Sequence, residues 1–326
     1  MNAKPSLKIA IVDFWKRATT DELERYLAPF RHWFNVSIDQ KNPDIVLYSC
    51  FGEKHIHYNC KRVFICGESV VPDFNTCDYS ISTVKIDYAG RNLWIPEAYF
   101  SQSTQKVAHE ITQELTKRKF CSFIYSQENI GYGAKYRKTF CEKLMQYQHV
   151  DCPGKVLHNL DSPELSARHN GSWHQSKINF LSKYKFNIAF ENAEAPGYIT
   201  EKLVDCYMAN TVPIYWGSRG DITPYPKESM IYANDFNSID DLIAKIKEVN
   251  ENDDLYLNIL RANPFRKENF GKLPDFHQQL LEFAKSIVES TDDTLAHRYE
   301  MTDSYRYAEF LKHKFWNSLK SIFQSK

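Results

Sequence analysis

Short apolar runs alternate along the chain with segments of helical spacing. The runs typical of buried strands are 8–14, 45–50, 62–66, 120–125, 186–190 and 212–216. Strands that alternate with helices are typical of a mainly parallel α/β sheet. A polar stretch around residues 101–119 separates the first three runs from the last three. The pattern predicts two α/β domains, residues 1–116 and 117–296, that face each other across a cleft.

One unit of the second domain is unusually clear. A strand over 186–190 leads through a loop at 191–198 to a helix that follows Thr200, and the next strand is 212–216. Threonine is a common N-cap, and asparagine, here Asn210, suits a helix exit. Ligands of such sheets bind at the carboxyl ends of the strands, where a helix N-terminus favours anionic groups. We therefore expect a phosphate site at this loop.

The same arrangement recurs at the start of the second domain. The strand at 120–125 is followed by a glycine-containing loop at 126–133 and by a helix that carries Arg137 near its first turn. Apolar residues of that helix recur at helical spacing, at positions 136, 140 and 144. A second cation is thus expected at a second strand end.

Composition narrows the function classes. Among 326 residues, 41 Lys and Arg balance 41 Asp and Glu, so no global positive field drives nucleic-acid binding. No apolar run reaches the length of a membrane-spanning helix. Eight cysteines without a Cys-x-x-Cys pattern indicate reduced thiols and a cytoplasmic protein. His55, His57 and Cys60 lack a fourth ligand at zinc-site spacing, so no metal site is predicted.

Three sequence blocks carry a specific resemblance. They are Phe-Glu-Asn at 190–192, Tyr-Ile-Thr-Glu-Lys at 198–202 and Pro-Ile-Tyr-Trp-Gly at 213–217. In order and spacing these blocks resemble the donor signature of the α-1,3-fucosyltransferase family. Weaker likenesses extend the match over about residues 62–265. The resemblance implies a GT-B glycosyltransferase with two facing Rossmann-like domains, which uses GDP-β-L-fucose and inverts the anomeric centre.

The resemblance also implies roles for single residues. It places Asn192, Tyr198, Glu201 and Lys202 in the donor site, with Glu201 on the ribose hydroxyls and Lys202 on the diphosphate. Arg137 falls on the family's phosphate-binding arginine. The chain has no Asp-x-Asp, so we expect these fixed cations, rather than a metal, to neutralise the diphosphate. No cofactor besides the GDP-fucose donor is expected.

Transfer with inversion needs a group that takes the proton of the acceptor hydroxyl. Glu68 follows the strand at 62–66 through Gly67, and the family's proposed general base sits at this Gly-Glu pair. Glu191 is the competing carboxylate, and its alternative role is to stabilise positive charge that develops on the sugar. Both are candidate catalytic residues, with Glu68 ranked first.

The predicted reaction moves L-fucose to a GlcNAc hydroxyl of an N-acetyllactosamine-type glycan in α-1,3 linkage, as in a Lewis x product. Transfer of another GDP-linked sugar, such as mannose, and α-1,4 linkage remain alternatives. An inactive glycan- or nucleotide-binding protein is the rival from a different class. The first domain is expected to hold the acceptor, and the second the donor.

The last segment, residues 297–326, ends in a basic amphipathic helix over 305–326. Apolar positions 308, 311, 315, 319 and 322 lie on one face, and residues 305–326 carry a net charge of +4 from five lysines and arginines against Glu309. The helix either lies on an anionic membrane surface or packs its apolar stripe on the first domain. Localisation is accordingly predicted as cytoplasmic, either free or peripheral on the inner membrane face.

Overall fold

The chain folds around two separate parallel sheets. In the computed structural model the described residues are 3–16, 18, 20–97, 110–129, 131–165, 173–218, 223–269, 273–291, 311 and 315. A six-stranded sheet and a five-stranded sheet lie within them, and every strand pairing is parallel. The prediction of two α/β units with parallel sheets is therefore confirmed.

The first lobe is built on the six-stranded sheet, in the order β2-β1-β3-β4-β5-β6. Its strands are β1 (Ser6–Val12), β2 (Asn35–Ile38), β3 (Ile45–Tyr48), β4 (Lys61–Cys66), β5 (Tyr79–Ser82) and β6 (Asn92–Trp94). Helix α1 (Thr20–Trp33) connects β1 to β2, and a 3-10 turn (Lys54–His57) follows β3. Because β3 and β5 are buried along their whole length, the sheet has the continuous burial that parallel sheets require.

The second lobe is built on the five-stranded sheet, in the order β11-β10-β9-β7-β8. Its strands are β7 (Lys119–Ser122), β8 (Val150–Asp151), β9 (Tyr184–Phe190), β10 (Val212–Trp216) and β11 (Ile231–Tyr232). The helices are α2 (Gly131–Leu144), α3 (Trp173–Leu181), α4 (Glu201–Met208), α5 (Ile239–Glu251) and α6 (Asp253–Arg261). Short 3-10 turns lie at Gln113–Lys117, Lys227–Ser229 and Ala233–Asp235.

Each of the six predicted apolar runs overlaps a strand, and the predicted helix after Thr200 is confirmed. The Thr200 hydroxyl accepts a hydrogen bond from the Lys202 N–H, as an N-cap does. Asn210 has a left-handed φ of 50°, which is the backbone geometry of a helix exit. The helix that carries Arg137 begins earlier than predicted, because α2 starts at Gly131 within the segment predicted as a loop, and Arg137 lies in its second turn.

One helix of the C-terminal half returns to the first lobe. Helix α7 (Phe276–Glu289) packs its apolar face, including Ala284 and Ile287, into the core of the first sheet. The Trp33 indole N–H donates to the Leu281 carbonyl at 2.7 Å and fixes the contact with α1. The sequence prediction had assigned this segment to the 117–296 domain. The domain boundaries remain a prediction, but α7 is physically part of the first lobe.

Hydrogen bonds between described residues join the lobes along one edge of the cleft. The Lys85 N–H donates to the Pro196 carbonyl at 2.7 Å, and the Glu97 N–H donates to the Ile199 carbonyl at 2.9 Å. The Trp94 indole N–H donates to the Gly197 carbonyl at 3.0 Å. The 191–200 loop of the second lobe is therefore held against the end of the first sheet.

Most of the predicted C-terminal helix lies outside the described residues. Of residues 305–326 the structure describes Leu311 and Phe315, both helical and both exposed. Among the described residues, none of the helices is long and apolar enough to cross a bilayer. The choice between membrane contact and packing on the first lobe stays a prediction.

Truncation of the α7 face tests its place in the first core. Ile287 is fully buried there, so Ile287→Ala should lower the free energy of unfolding by about 2–5 kcal/mol in urea denaturation. Val70→Ala, which removes methyl groups from an exposed position, is the control and should change it by about 0.5 kcal/mol or less. Equal effects of the two variants would contradict the packing described for α7.

Candidate functional site

A fully buried carboxylate organises the loop between β9 and α4. Glu191 accepts hydrogen bonds from the Thr200 N–H at 2.8 Å and from the Thr200 hydroxyl at 2.8–3.0 Å. The Lys202 ammonium lies 3.1 Å from Glu191 Oε2 and donates to the Thr200 hydroxyl at 2.9 Å. Glu191 itself has no solvent exposure. The three side chains therefore form one closed unit at the N-terminus of α4.

Electrostatics fix the charge of this unit. Burial lowers the pKa of Lys202, but the carboxylates of Glu191 and Glu201 raise this pKa well above its ordinary value. Lys202 is therefore a permanent cation. Burial raises the pKa of Glu201, but the ammonium groups of Lys202 and Lys177 lower this pKa to about 2. Glu201 is therefore ionised at neutral pH.

A cavity of about 550 Å³ opens at the carboxyl edge of the second sheet. It is bounded by the segments that follow β7, β8 and β9 and by helices α2, α3 and α4. Four of the seven residues proposed from the sequence line this cavity: Arg137, Asn192, Glu201 and Lys202. The structure thus brings together side chains from two helices and a loop that lie far apart in sequence.

Arg137 is held rigidly at the cavity wall. Its guanidinium donates to the Asn192 side-chain oxygen at 2.8 Å and to the Gln127 carbonyl at 2.7 Å, and it lies 4.0 Å over the Tyr125 ring. Gly133 lets helix α2 lie close to the 191–200 loop, because a Cβ at this position would clash with the Asn192 carbonyl oxygen. The glycine thus lets α2 contact the 191–200 loop backbone to backbone.

The other three predicted residues lie off the cavity surface. Glu191 and Tyr198 belong to the 191–200 loop, and their side chains are buried. Glu68 is exposed on the first lobe, directly after β4 and Gly67. Burial, the Glu191 carboxylate and, more weakly, the Glu68 carboxylate raise the pKa of Tyr198. The Glu97 N–H donates to the Ile199 carbonyl at 2.9 Å and the Glu97 side chain lies beside Gly67, so Glu68 lies near the loop on the opposite side of the cleft.

Sequence reasoning missed two lysines that line the cavity, Lys155 and Lys177. Lys177 of α3 lines the cavity, and its ammonium lies 2.7 Å from the fully buried Asp205 carboxylate of α4. His174 contacts the same carboxylate at 3.2 Å. A buried aspartate inside an apolar helix face is the signal that could have pointed to a partner of opposite charge.

Sequence reasoning also missed a carboxylate between the lobes. Glu97 follows β6, is partly buried, and its carboxylate accepts a hydrogen bond from the Glu201 N–H at the start of α4. A Cβ on Gly67 would lie 3.3 Å from Glu97 Cγ, so the side chain also lies beside the Gly67–Glu68 turn. Burial and the nearby Glu201 carboxylate raise the pKa of Glu97 to about 8, against opposing charges on Lys202 and Arg25. At neutral pH Glu97 is therefore largely protonated.

Metal ligands do not cluster in the part of the chain that the structure describes, where no group of three or more His, Cys, Asp or Glu is arranged to hold an ion. His55, which the sequence pattern grouped with His57 and Cys60, instead binds the Asp13 carboxylate through Nδ1 at 2.8 Å. That residue is therefore part of the packing of the first lobe.

Two family profiles match the chain, one on each side of the 101–114 segment. The profile described as "Glycosyltransferase family 10 (fucosyltransferase) C-term" matches residues 114–269. The profile described as "Alpha-(1,3)-fucosyltransferase FucT N-terminal domain" matches residues 9–101. The second profile also covers residues 9–61, which lie before the 62–265 range of the resemblance described above.

Similar proteins span both lobes. Alpha-(1,3)-fucosyltransferase FucT of Helicobacter pylori is 29% identical over 90% of this chain and 68% of that protein. Putative fucosyltransferase R654 of Acanthamoeba polyphaga mimivirus is 29% identical over 69% of this chain, but only 36% of that protein is matched. A crystal structure of an alpha1,3-fucosyltransferase with GDP-fucose superposes with a TM-score of 0.69, at 26% identity, over 90% of this chain and 93% of that one.

A more distant structure shares the fold alone. HepE of Anabaena, in complex with UDP-glucose, superposes with a TM-score of 0.52 at 9% identity over 86% of this chain and all of that one. Together with the fucosyltransferase structures, it confirms the predicted GT-B fold of two facing α/β lobes.

The raised pKa of Glu97 predicts a specific pH dependence of stability. Because the folded protein binds this proton more tightly than the unfolded chain, the stability contribution is present below the ordinary carboxyl pKa and is lost as pH rises through about 8. Glu97→Gln is a neutral isostere. The Tm of this variant minus the Tm of the natural chain should therefore increase as pH rises from 5 to 9.

The matched control for that experiment is Glu282→Gln, which changes an exposed carboxylate on α7. Its Tm difference from the natural chain should stay nearly constant over the same pH interval. Thermal melts at several pH values measure both. A Glu97→Gln difference that is equally flat would show that Glu97 is not protonated in the folded protein.

Proposed function

The chain belongs to the α-1,3-fucosyltransferase family, and from this membership we propose that it transfers L-fucose from GDP-β-L-fucose to a GlcNAc hydroxyl of an N-acetyllactosamine-type glycan. The proposed linkage is α-1,3, as in a Lewis x product, and the anomeric centre is inverted. In this proposal the second lobe binds the donor and the first lobe binds the acceptor.

The cation-lined cavity at the N-terminus of α4 is the observation that carries the proposal. Arg137, Lys177 and Lys202 surround a space of about 550 Å³ on the second lobe. The two phosphates of a GDP-sugar are a polyanion, which fixed cations and helix-terminal N–H groups stabilise. We propose that Lys202 and Arg137 bind the diphosphate and that the nucleotide lies along the remaining wall.

Glu201 is suited to the ribose. An ionised carboxylate is a strong hydrogen-bond acceptor, and two sugar hydroxyls can donate to its two oxygens. Lys202 and Lys177 keep Glu201 ionised at neutral pH. We propose that Glu201 accepts these hydroxyls while the neighbouring Lys202 faces the phosphates.

The proposed chemistry is a single displacement. The acceptor hydroxyl oxygen attacks C1 of fucose as the bond from C1 to the phosphate oxygen breaks, and GDP leaves with the electron pair. Glu68 accepts the hydroxyl proton from the first-lobe side. Negative charge develops on the diphosphate as it leaves, so fixed cations stabilise the transition state more than they stabilise the bound donor. This difference lowers the barrier. The positive charges of Lys202 and Arg137 are proposed to do this without a metal.

Glu191 has a different proposed role from the one the sequence suggested. Both its oxygens are engaged by Thr200 and Lys202, and it has no exposed surface from which to contact a sugar. We propose that Glu191 is a positioning residue that orients Lys202 toward the diphosphate.

A product analysis tests the proposed function as a whole. The protein is incubated with GDP-fucose or GDP-mannose and with type 1 and type 2 disaccharides, and the linkage of each product is determined. Fucosylation of the type 2 disaccharide at O3 of GlcNAc is the expected result. Transfer of mannose, or an α-1,4 product from the type 1 disaccharide, would replace the proposed specificity, and binding of GDP without any transfer would support a binding protein.

Lys202 can be tested without breaking the fold. Removing Lys202 alone leaves Glu191 as a buried unpaired charge, which costs about 3–5 kcal/mol. The double variant Glu191→Gln/Lys202→Met removes both charges and should keep the fold but weaken GDP binding about tenfold or more, as measured by titration calorimetry. Glu191→Gln alone is the control and should bind GDP more tightly than the double variant. Equal affinities would remove Lys202 from the diphosphate site.

Glu68→Gln separates proton transfer from donor binding. The amide has the shape of the carboxylate but cannot take the hydroxyl proton, so turnover should fall by about 10² to 10⁴ while GDP affinity stays unchanged. Glu128→Gln, on the second lobe, is a carboxylate control that should leave turnover unaffected. Retained turnover in Glu68→Gln would exclude Glu68 as the base.

A further inference from the structure

Two cysteines of the first lobe lie side by side where neighbouring strands end. In the parallel register of β3 and β4, Tyr48 pairs with Phe64, and the same register carried two residues further places Cys50 opposite Cys66. The Cys66 S–H donates to the Cys50 sulfur, and the two sulfur atoms lie 3.6 Å apart. This thiol pair has no part in the glycosyl transfer proposed above.

The backbone at this thiol pair suits a disulfide. Disulfides join Cα atoms about 4.4–6.8 Å apart, and neighbouring strands lie about 4.8 Å apart. All eight cysteines lie in the described part of the chain, and none is joined in a disulfide. A bond between Cys50 and Cys66 would bring their sulfur atoms from 3.6 Å to about 2.05 Å. That change is within reach of side-chain rotation and a small backbone shift.

The two thiols differ in the way that redox-active pairs do. Cys50 is partly exposed, whereas Cys66 is buried. The hydrogen bond from Cys66 lowers the pKa of Cys50, against burial and the Glu68 carboxylate, and the same bond together with burial raises the pKa of Cys66. An accessible thiol of lowered pKa beside a second thiol is typical of redox-sensing cysteines, because the first supplies the nucleophile and the second resolves its oxidation product.

Two other cysteine positions show the contrast. Cys60 is also partly exposed, but burial raises its pKa to about 11, so little thiolate forms at neutral pH. Cys141 and Cys152 are hydrogen-bonded to each other, but both are fully buried in the core of the second lobe. An oxidant is therefore expected to react at Cys50 first.

Cys66 also holds the backbone of the proposed base. The Glu68 N–H donates to the Cys66 sulfur at 3.4 Å. The Thr83 hydroxyl donates to the Glu68 carbonyl at 2.9 Å and fixes the other side of the turn. Movement of the Cys66 sulfur toward Cys50 lengthens the contact with the Glu68 N–H. The position of Glu68 thus depends on the partner of the Cys66 sulfur.

We propose that Cys50 and Cys66 are a reversible redox site, which hydrogen peroxide closes to a disulfide, and that closure slows fucosyl transfer by displacing Glu68. The effect on transfer rests on the function proposed above, whereas formation of the disulfide does not. The site therefore couples the oxidation state of the first lobe to the rate at which the acceptor proton is removed.

The oxidation takes two steps. The Cys50 thiolate attacks a peroxide oxygen, the O–O bond breaks, and the hydroxide that leaves takes up the proton that Cys50 had lost, which gives water and a sulfenic acid on Cys50. The Cys66 sulfur then attacks the Cys50 sulfur, the S–S bond forms as the S–O bond breaks, and the Cys66 proton leaves with the hydroxyl as a second water. The two thiols lose two electrons, and peroxide accepts both. Dithiothreitol returns two electrons by thiol–disulfide exchange and is itself oxidised.

Peptide mapping tests the disulfide without any need for activity. Trypsin separates the cysteines of this region into peptides 42–54, 55–61 and 63–85, which contain Cys50, Cys60 and Cys66 in that order. After peroxide treatment the first and third peptides should be joined by a bond that dithiothreitol cleaves, and fragmentation should place this bond at Cys66 rather than at Cys77. Absence of the joined peptide, or a bond to Cys60 in its place, overturns the site.

A trapped intermediate tests the order of the two steps. Cys66→Ser keeps a hydrogen-bond donor beside Cys50 but has no thiol to displace the sulfenic acid. Dimedone, which reacts with sulfenic acids, should therefore label peptide 42–54 in this variant more than in the natural chain. Label on the Cys60 peptide in place of the Cys50 peptide contradicts the assignment of Cys50 as the reacting thiol.

Turnover measurements test the link to Glu68. Peroxide should lower the kcat of the natural chain about tenfold to a hundredfold, as a misplaced catalytic group does, and dithiothreitol should restore it. The KM for GDP-fucose should stay within about twofold, because the cavity proposed for the donor lies on the second lobe. Cys50→Ala should keep its turnover after peroxide, whereas Cys60→Ala, the matched control, should respond as the natural chain does.

The outcomes separate the redox site from the proposed function. A joined peptide with unchanged turnover in the oxidised protein overturns the link to Glu68. An equal loss of turnover in Cys50→Ala overturns this link as well, because that variant cannot form the disulfide. No transfer by the reduced protein overturns the transferase proposal, and the joined peptide then decides the redox site by itself.

Discussion

The buried carboxylate of Glu191 is the constraint on which the second lobe's site depends. A charge with no solvent exposure is tolerated in a fold only when other groups compensate it, and here Thr200 and Lys202 do so. Because Thr200 is also the N-cap of α4, the loop cannot rearrange without disturbing both the helix start and the charge pair. The cation that faces the cavity is consequently set in place by folding, before any ligand arrives.

Local signals made this region predictable from the sequence. Thr200, Asn210 and the apolar spacing between them are sufficient to define a helix, and the flanking runs are long and apolar enough to be recognised as strands. By contrast, β5 contains four residues, and β8 and β11 contain two each. Segments this short offer too few positions to distinguish a strand from a loop by periodicity, and their pairing with neighbouring strands defines them.

The site residues divide in the same way. Arg137, Asn192, Glu201 and Lys202 belong to motifs and line the cavity, whereas Glu191 and Tyr198 belong to the same motifs and lie off it. Glu97 and Lys177 belong to no motif, since their roles arise from contacts between distant segments: Glu97 meets α4 across the cleft, and Lys177 meets a buried aspartate on the neighbouring helix. Tertiary packing, rather than any local sequence signal, determines these two positions.

Helix α7 has a mechanical consequence for the cleft. The polypeptide leaves the first lobe after Glu97 and re-enters it at Phe276, so two separate covalent links join the lobes. A single link leaves more directions of relative movement open to the lobes than two separate links do, because the second link opposes part of the rotation about the first. The return of the chain to the first lobe thus couples the two lobes through the backbone at two places.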